Sequence, residues 1–255
     1  MEKVRQMIRP IILLTFVLLF VSCQETNPCA VGPGERYIFP ELSKNSTRTR
    51  EEVNQFFDLP EDVSKCMSTE SLVETCLAYP QLGLINAGSN PQVGYNLVSS
   101  IFRGLRELAV RADRGEHMLR KYKMIDPAGY DPNGESVSIG RHVLQISYVE
   151  IILSQEETIK SLSLTQKIEL VERTREVYQR KIDDITNYGL YNLATTPTIL
   201  ARLMRVDQYQ PFLNVYDPKV QSWNFVGQYW PTDYTTMQTV FSLSSNYLNF
   251  LKQQR

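Results

Sequence analysis

The chain has 255 residues, a formal net charge of −1, 42% hydrophobic residues and four cysteines. That balance leaves no electrostatic footprint for nucleic acid or for an anionic membrane surface. A chain of this length buries roughly 70–75% of its unfolded surface, so one core can form without covalent staples.

The first element is an N-terminal signal, residues 1–22. Lys3, Arg5 and Arg9 form a basic start, and an apolar stretch runs from Ile11 to Val21. The stretch is too short to persist as a membrane-spanning helix, so it reads as a removable signal peptide. Phe20-Val21-Ser22-Cys23 then places a small residue immediately before a cysteine. This junction resembles a bacterial lipobox, with Phe20 where Leu is more usual. The resemblance implies cleavage after Ser22, diacylglycerol on the Cys23 thiol, and an acyl chain such as palmitate on the new amino group. Ordinary secretion with Cys23 as a plain thiol is the alternative. Two or three acyl chains anchor firmly, because each buried CH₂ contributes about 0.8 kcal/mol and one chain alone is marginal. Gln24 follows the cysteine where an Asp would favour inner-membrane retention. The expected location is therefore the outer membrane of a bacterial envelope, on its periplasmic or surface face.

Residues 23–47 read as a lipidated tether. Pro28, Gly32, Pro33, Gly34 and Pro40 precede a polar Ser-Lys-Asn-Ser-Thr run, which gives the reach of a flexible coil. Tyr37-Ile38-Phe39 is the part able to dock back onto the domain. Beyond Cys23 the thiols are Cys29, Cys66 and Cys76, an odd number for an oxidising compartment. The spacing of Cys66 and Cys76 is compatible with a disulfide across a helix-turn-helix. It is equally compatible with two small buried thiols, the commoner behaviour of free cysteine.

From residue 48 the signals are helical. Thr49 caps a helix that runs to Phe57, and Pro60 opens a short one to about Cys66. Ser68 or Thr69 caps the next, which stops before Pro80. Asn90-Pro91 is an N-cap followed by proline at the first helical position. From there Val93, Leu97, Ile101, Leu105 and Leu108 hold one face to about Arg111. Residues 113–125 form a further helix with Met118, Leu119 and Tyr122 on its apolar side. The run from Asp126 to Gly134, rich in Pro, Gly and Asp, is a strong breaker and a joint between two possible halves, 48–125 and 135–255. Residues 135–154 are apolar nearly all round and predict a central buried helix. Ser163-Leu164-Thr165-Gln166 matches a capping box. Behind it come Leu164, Ile168, Val171, Tyr178, Ile182 and Ile185, with Arg175 interrupting and Glu169–Arg173 and Glu176–Arg180 as i, i+4 pairs. Thr196-Pro197 opens another helix to about Val206. Asp233 caps the last, striped by Met237, Val240, Phe241, Leu248 and Leu251. No run alternates with period two, so the expected fold is all-α: an array of helical hairpins, solenoid-like or a compact irregular bundle.

Pro60-Glu61-Asp62-Val63, the run from Met67 to Pro80, Asn90-Pro91 and Phe102-Arg103-Gly104-Leu105-Arg106-Glu107-Leu108 resemble a set of uncharacterised bacterial secreted proteins, mainly from Bacteroidetes. The likeness covers about a quarter of the chain. It supports the helical reading and implies no activity.

Chemistry is sparsely signposted. His117 and His142 are the only histidines and belong to no metal-binding motif. His117 reads as solvated and His142 as a hydrogen-bonded core residue. No nucleophile elbow or glycine-rich phosphate loop occurs. Asp126, Asp131 and Asn133 offer oxygen ligands, but turn chemistry explains them without calcium. No metal and no cofactor is expected. The last quarter is rich in aromatics: Tyr188, Tyr191, Tyr209, Phe212, Tyr216, Trp223, Phe225, Tyr229, Trp230 and Tyr234. These serve either as core or, at Trp223, Tyr229, Trp230 and Tyr234, as a surface for a partner or ligand. The leading expectation is a lipid-anchored envelope module, attached at Cys23, that binds another envelope protein, a peptide or a glycan, and not nucleic acid. The alternative is an envelope hydrolase using carboxylates in a cleft between helices, which would need a close pair of buried carboxylates.

Overall fold

A computed structural model describes residues 29, 31–43, 46–216 and 233–255. Of residues 1–30 only Cys29 is described, so the lipid-site residue Cys23 lies outside the described residues. Residues Val31–Arg255 form one compact unit, and the elements on both sides of the Asp126 to Gly134 loop belong to it.

The described residues contain twelve α-helices and no strand. They are α1 (Arg50–Phe57), α2 (Glu61–Cys66), α3 (Thr69–Leu77), α4 (Pro91–Ile101), α5 (Arg103–Val110) and α6 (Arg114–Met124). After the loop come α7 (Ser136–Leu153), α8 (Glu156–Lys160), α9 (Leu164–Asp183), α10 (Ile185–Val206), α11 (Gln210–Leu213) and α12 (Tyr234–Gln253). A 3₁₀ turn, Leu82–Ala87, lies between α3 and α4. The fold is an all-α bundle centred on α7 and α10. Helix α7 packs against α3, α4, α6 and α10, and α10 packs against α7, α8, α9 and α12. In a solenoid each repeat touches only its neighbours, whereas here early helices meet late ones through a shared centre.

The caps read from sequence are formed. Ser68, Asn90, Ser163 and Asp233 each accept a backbone N–H of the first turn. Thr49 and Glu52 close a full capping box on α1: Glu52 N donates to Thr49 Oγ1 at 3.3 Å and Thr49 N donates to Glu52 Oε2 at 2.7 Å. The backbone and side-chain hydrogen bonds from Thr49 hold the Glu52 carboxyl below its ordinary pKa. Because the folded pKa is the lower one, the stabilisation is fully present above the ordinary Glu value and disappears as pH falls through the lowered one. An NMR titration should place the Glu52 midpoint below 4.5. A midpoint at or above that value would mean that the box is open in solution.

Four expectations about the helices are corrected. The face starting at Val93 does not continue to Arg111, because Phe102 is extended (φ −120°, ψ 114°) and separates α4 from α5. Asp58 stabilises the break by accepting from Arg103 N at 2.6 Å, and Arg103 Nη1 donates to Leu59 O at 3.1 Å. Val93 is exposed, while Gly94 and Val98 form the buried side of α4. Helix α7 is buried only from Val143 onward, and Val137 near its start is 71% exposed. Pro197 does not open a helix. It sits inside α10, whose kink lies earlier, at Gly189 (φ +64°), a conformation suited to glycine. Finally, Glu169 pairs with Lys123 of α6 at 2.7 Å and Arg173 pairs with Glu176 at 2.8 Å, so the foreseen Glu169–Arg173 pair is replaced by a link between helices.

The tether is partly bound. Tyr37 N donates to Thr75 Oγ1 at 2.9 Å, and Ser71 Oγ donates to Gly32 O at 2.9 Å. Phe39 packs edge-on against Tyr37 and Tyr79 and tilts onto Phe102, while Ile38 between them faces solvent. Residues 31–39 are therefore laid along α3 and not a free coil. Cys66 takes part in a disulfide bond, as does Cys29, whereas Cys76 is a free thiol fully buried on α3. A Cys66–Cys76 bridge is not formed, and of the two expected small buried thiols only Cys76 is one, because Cys66 is exposed and oxidised.

Candidate functional site

Helix α4 carries Gln92, Tyr95, Asn96 and Ser99 at i, i+3, i+4 and i+7, which is one continuous polar stripe. Helix α10 carries Arg202 and Arg205 one turn apart near its C-terminus. Gln155, Glu156 and Glu157 lie at the N-cap and first turn of α8. These residues, with Ala109 of α5, line a cleft of ≈ 390 Å³.

Arg202 joins the walls. Its Nη1 donates to Ser154 O and Ser154 Oγ, each at 3.2 Å, which fastens α10 to the end of α7. Its Nη2 donates to Gln92 Oε1 at 2.6 Å, which fastens α10 to α4. Gln92 Nε2 in turn donates to Gln155 Oε1 at 3.0 Å and to Asn96 Oδ1 at 2.9 Å. Gln155 Nε2 donates to Ile151 O at 2.7 Å. A run of guanidinium and amide groups thus crosses three helices in fixed geometry, as a preorganised polar surface requires.

Electrostatics divide the two arginines. Arg202 is only 6% exposed, and burial, followed by the charge of Arg205, lowers its pKa to about 10. It therefore stays cationic at neutral pH. Arg205 is more accessible, with 29% of its side chain exposed. Its Nη2 stands 3.6 Å from Glu156 Oε1, which also lies 3.6 Å from Lys160 Nζ. Arg205 Nε is buried and has no hydrogen-bond partner. Burial above all pushes the Tyr95 phenol up, so it works as a neutral hydroxyl. The cleft offers two guanidiniums, two carboxylates, three amides and two hydroxyls, a lining suited to hydrogen-bonding a polar ligand.

The core holds a second cluster. Glu150 of α7 and Lys181 of α9 are both fully buried and form an ion pair at 2.6 Å. Glu150 also accepts from Tyr122 Oη at 2.9 Å, Thr196 Oγ1 at 2.8 Å and the Thr195 hydroxyl. Lys181 donates further to Asn192 O at 2.9 Å and Thr195 Oγ1 at 3.2 Å. Three ammonium donors and four carboxylate acceptor sites are thereby used, so this cluster joins four helices and presents nothing outward. Glu150 is the one buried carboxylate among the described residues, and its partner is an ammonium, not the second carboxylate that the hydrolase alternative needs.

Of the residues singled out in the sequence, Trp223, Tyr229 and Trp230 lie outside the described residues. Tyr234 is the first residue of α12 and is 38% exposed. Tyr188, Tyr209 and Phe212 are core residues. His142 is half-buried, not deep in the core, and its Nε2 lies 2.9 Å from Asp126 O, pinning the loop. His117 is also half-buried instead of solvated, 3.3 Å from Asp113. Asp126 and Asp131 accept from Ala128 N and Asn133 N, the Asx turns that their composition predicts. The cleft residues were missed, although the period of Gln92, Tyr95, Asn96 and Ser99 was visible. A polar stripe on an amphipathic helix reads first as a solvated face.

No protein-family model, curated protein or solved structure matches the chain.

Proposed function

We propose that this is a lipid-anchored helical binding module of the bacterial envelope, held at the membrane through Cys23, which takes a polar protein, peptide or glycan ligand in the α4–α8–α10 cleft. The observation that carries the binding reading is the convergence of Gln92, Asn96, Gln155, Arg202 and Arg205, from two helices and the α7–α8 junction, on one cleft. The Phe20-Val21-Ser22-Cys23 junction supports the anchor.

Two measurements test the two parts. Cys23→Ala should move the protein from the membrane to the soluble fraction, and retention in the membrane would remove the lipid anchor from the reading. A photo-crosslinking residue at Ser99, in the cleft, should capture a ligand in the native envelope. The same residue at Gln238, exposed on α12 and not part of the cleft lining, should not. Equal capture at both positions, or none at Ser99, would take the ligand away from the cleft.

A further inference from the structure

We infer that one end of the bundle, formed by the N-terminal ends of α3 and α6 and the turn between α5 and α6, faces the lipid surface and is held there by a short tether. The inference rests on the lipid anchor in the reading above and adds which face the anchor presents to the bilayer. It follows from where the chain enters the domain. Val31 is buried and stands eight positions after Cys23. A chain extends at most about 3.3–3.6 Å per residue, so Val31 lies within about 29 Å of the lipidated cysteine. A compact unit of the length of Val31–Arg255 measures about 45 Å across. On so short a tether it cannot turn its far end to the membrane. With residues 23–47 all free, the reach would be about 80 Å and every orientation would be open.

The docked segment sets the direction. Gly32 O accepts from Ser71 Oγ at 2.9 Å, Tyr37 N donates to Thr75 Oγ1 at 2.9 Å, and Phe39 meets the Tyr79 ring. Residues 32–39 therefore follow α3 from its N-terminus to its C-terminus. Helix α6 runs parallel beside it: Thr69 Oγ1 donates to Asp113 Oδ1 at 2.7 Å, and further along Glu74 pairs with Lys121 at 2.6 Å. Gly32, Ser71, Thr69 and Asp113 thus mark one end of the bundle. Val110, the last residue of α5, adjoins it and is 73% exposed. Met124 closes α6 at the other end and is 77% exposed. At the near end Lys65 pairs with Glu61 at 2.5 Å and Arg111 with Glu107 at 2.9 Å, which leaves little free positive charge for anionic headgroups. The tether, not charge, holds this end down, in keeping with release by Cys23→Ala. The cleft lies toward the same end. Ala109 precedes Val110, and Glu157 O accepts from Arg114 Nη2 at the start of α6. A ligand in it is met on the membrane side of the domain.

The test is energy transfer to a headgroup-labelled acceptor lipid from a coumarin amino acid placed at Val110 or, separately, at Met124. The full-length lipidated protein is reconstituted in vesicles of phosphatidylethanolamine and phosphatidylglycerol. Both positions are exposed, so neither label disturbs the core. Transfer should be at least threefold faster from 110 than from 124, and added salt should leave the ratio unchanged. A flexible Gly/Ser insert of about thirty residues between Cys23 and Val31 should bring the ratio close to one while the protein still sediments with the vesicles. Equal transfer from the two positions without the insert, or faster transfer from 124, overturns the inference and leaves the anchor standing. A ratio that survives the insert overturns it too, because a surface of the domain and not the tether would then set the facing. Protein that fails to sediment with the vesicles removes the anchor and the inference together.

Discussion

Lys181→Met should cost about 3–5 kcal/mol of stability, read as a drop in the denaturant midpoint at an unchanged slope. The substitution leaves Glu150 in place, fully buried, with its ammonium partner gone. Tyr122, Thr195 and Thr196 still donate to the carboxylate, but three neutral hydroxyls do not offset a full charge inside a core. Asn192 O and Thr195 Oγ1 lose a donor at the same time. Burial pushes the Lys181 ammonium pKa down, and the charge and hydrogen bond of Glu150 partly offset that, so the attraction between the two works against a desolvation cost. The double variant Glu150→Leu/Lys181→Met should therefore be more stable than Lys181→Met alone, since no unpaired charge remains. It should not reach the parent, because Tyr122 and the two threonines are then left facing apolar side chains. If the double variant is less stable than the single one, the pair is not the unit described here, and the hydroxyls around it hold the helices together without it.

The same cluster shows what a sequence can and cannot disclose. Helix ends are local events: Thr49, Ser68, Asn90, Ser163 and Asp233 cap through residues two or three positions away, and all five were legible. The Glu150–Lys181 pair spans 31 residues, and its hydroxyl partners come from α6 and α10. Nothing at Lys181 marks it as buried, since its neighbours Arg180 and Asp183 are exposed. Pro197 misled for a related reason. A proline is a start signal when read locally, but here the helix continues through it. Of the preceding turn, Asn192 O is also held from outside the helix, by Lys181 Nζ of α9. Phe102 is the opposite case. Its apolar neighbours fit a continuous helix, and the break is fixed by Asp58, 45 residues from the amide that it accepts. The cleft was half legible: the stripe on α4 has a period, but its meaning depends on Arg202, 110 positions from Gln92.

Gly94→Ala should destabilise the protein by about 3 kcal/mol or more, at the upper end of what overpacking costs. In an exposed helix the sign would be opposite, because replacing Gly by Ala within a helix gains roughly 0.5–1 kcal/mol. At this position an added Cβ would stand 1.8 Å from Ile85 O, 2.5 Å from its carbonyl carbon and 2.7 Å from its Cα. All three are backbone atoms, so no side chain can rotate aside. The 3₁₀ turn Leu82–Ala87 rests directly on α4, with Ile85 fully buried beneath it. Relief would require α4 or the turn to move by more than an ångström. The turn is held from behind by Asn86, which donates to Tyr148 Oη at 3.0 Å and accepts from Tyr191 Oη at 2.6 Å. Helix α4 would therefore shift, carrying Gln92 with it and stretching its 2.6 Å bond to Arg202. Thermal unfolding checks the stability, and a variant as stable as the parent would mean that turn and helix are not in contact in solution. The seat on Gly94 thus sets the position of the polar stripe, and a residue with no side chain fixes the geometry of the cleft wall.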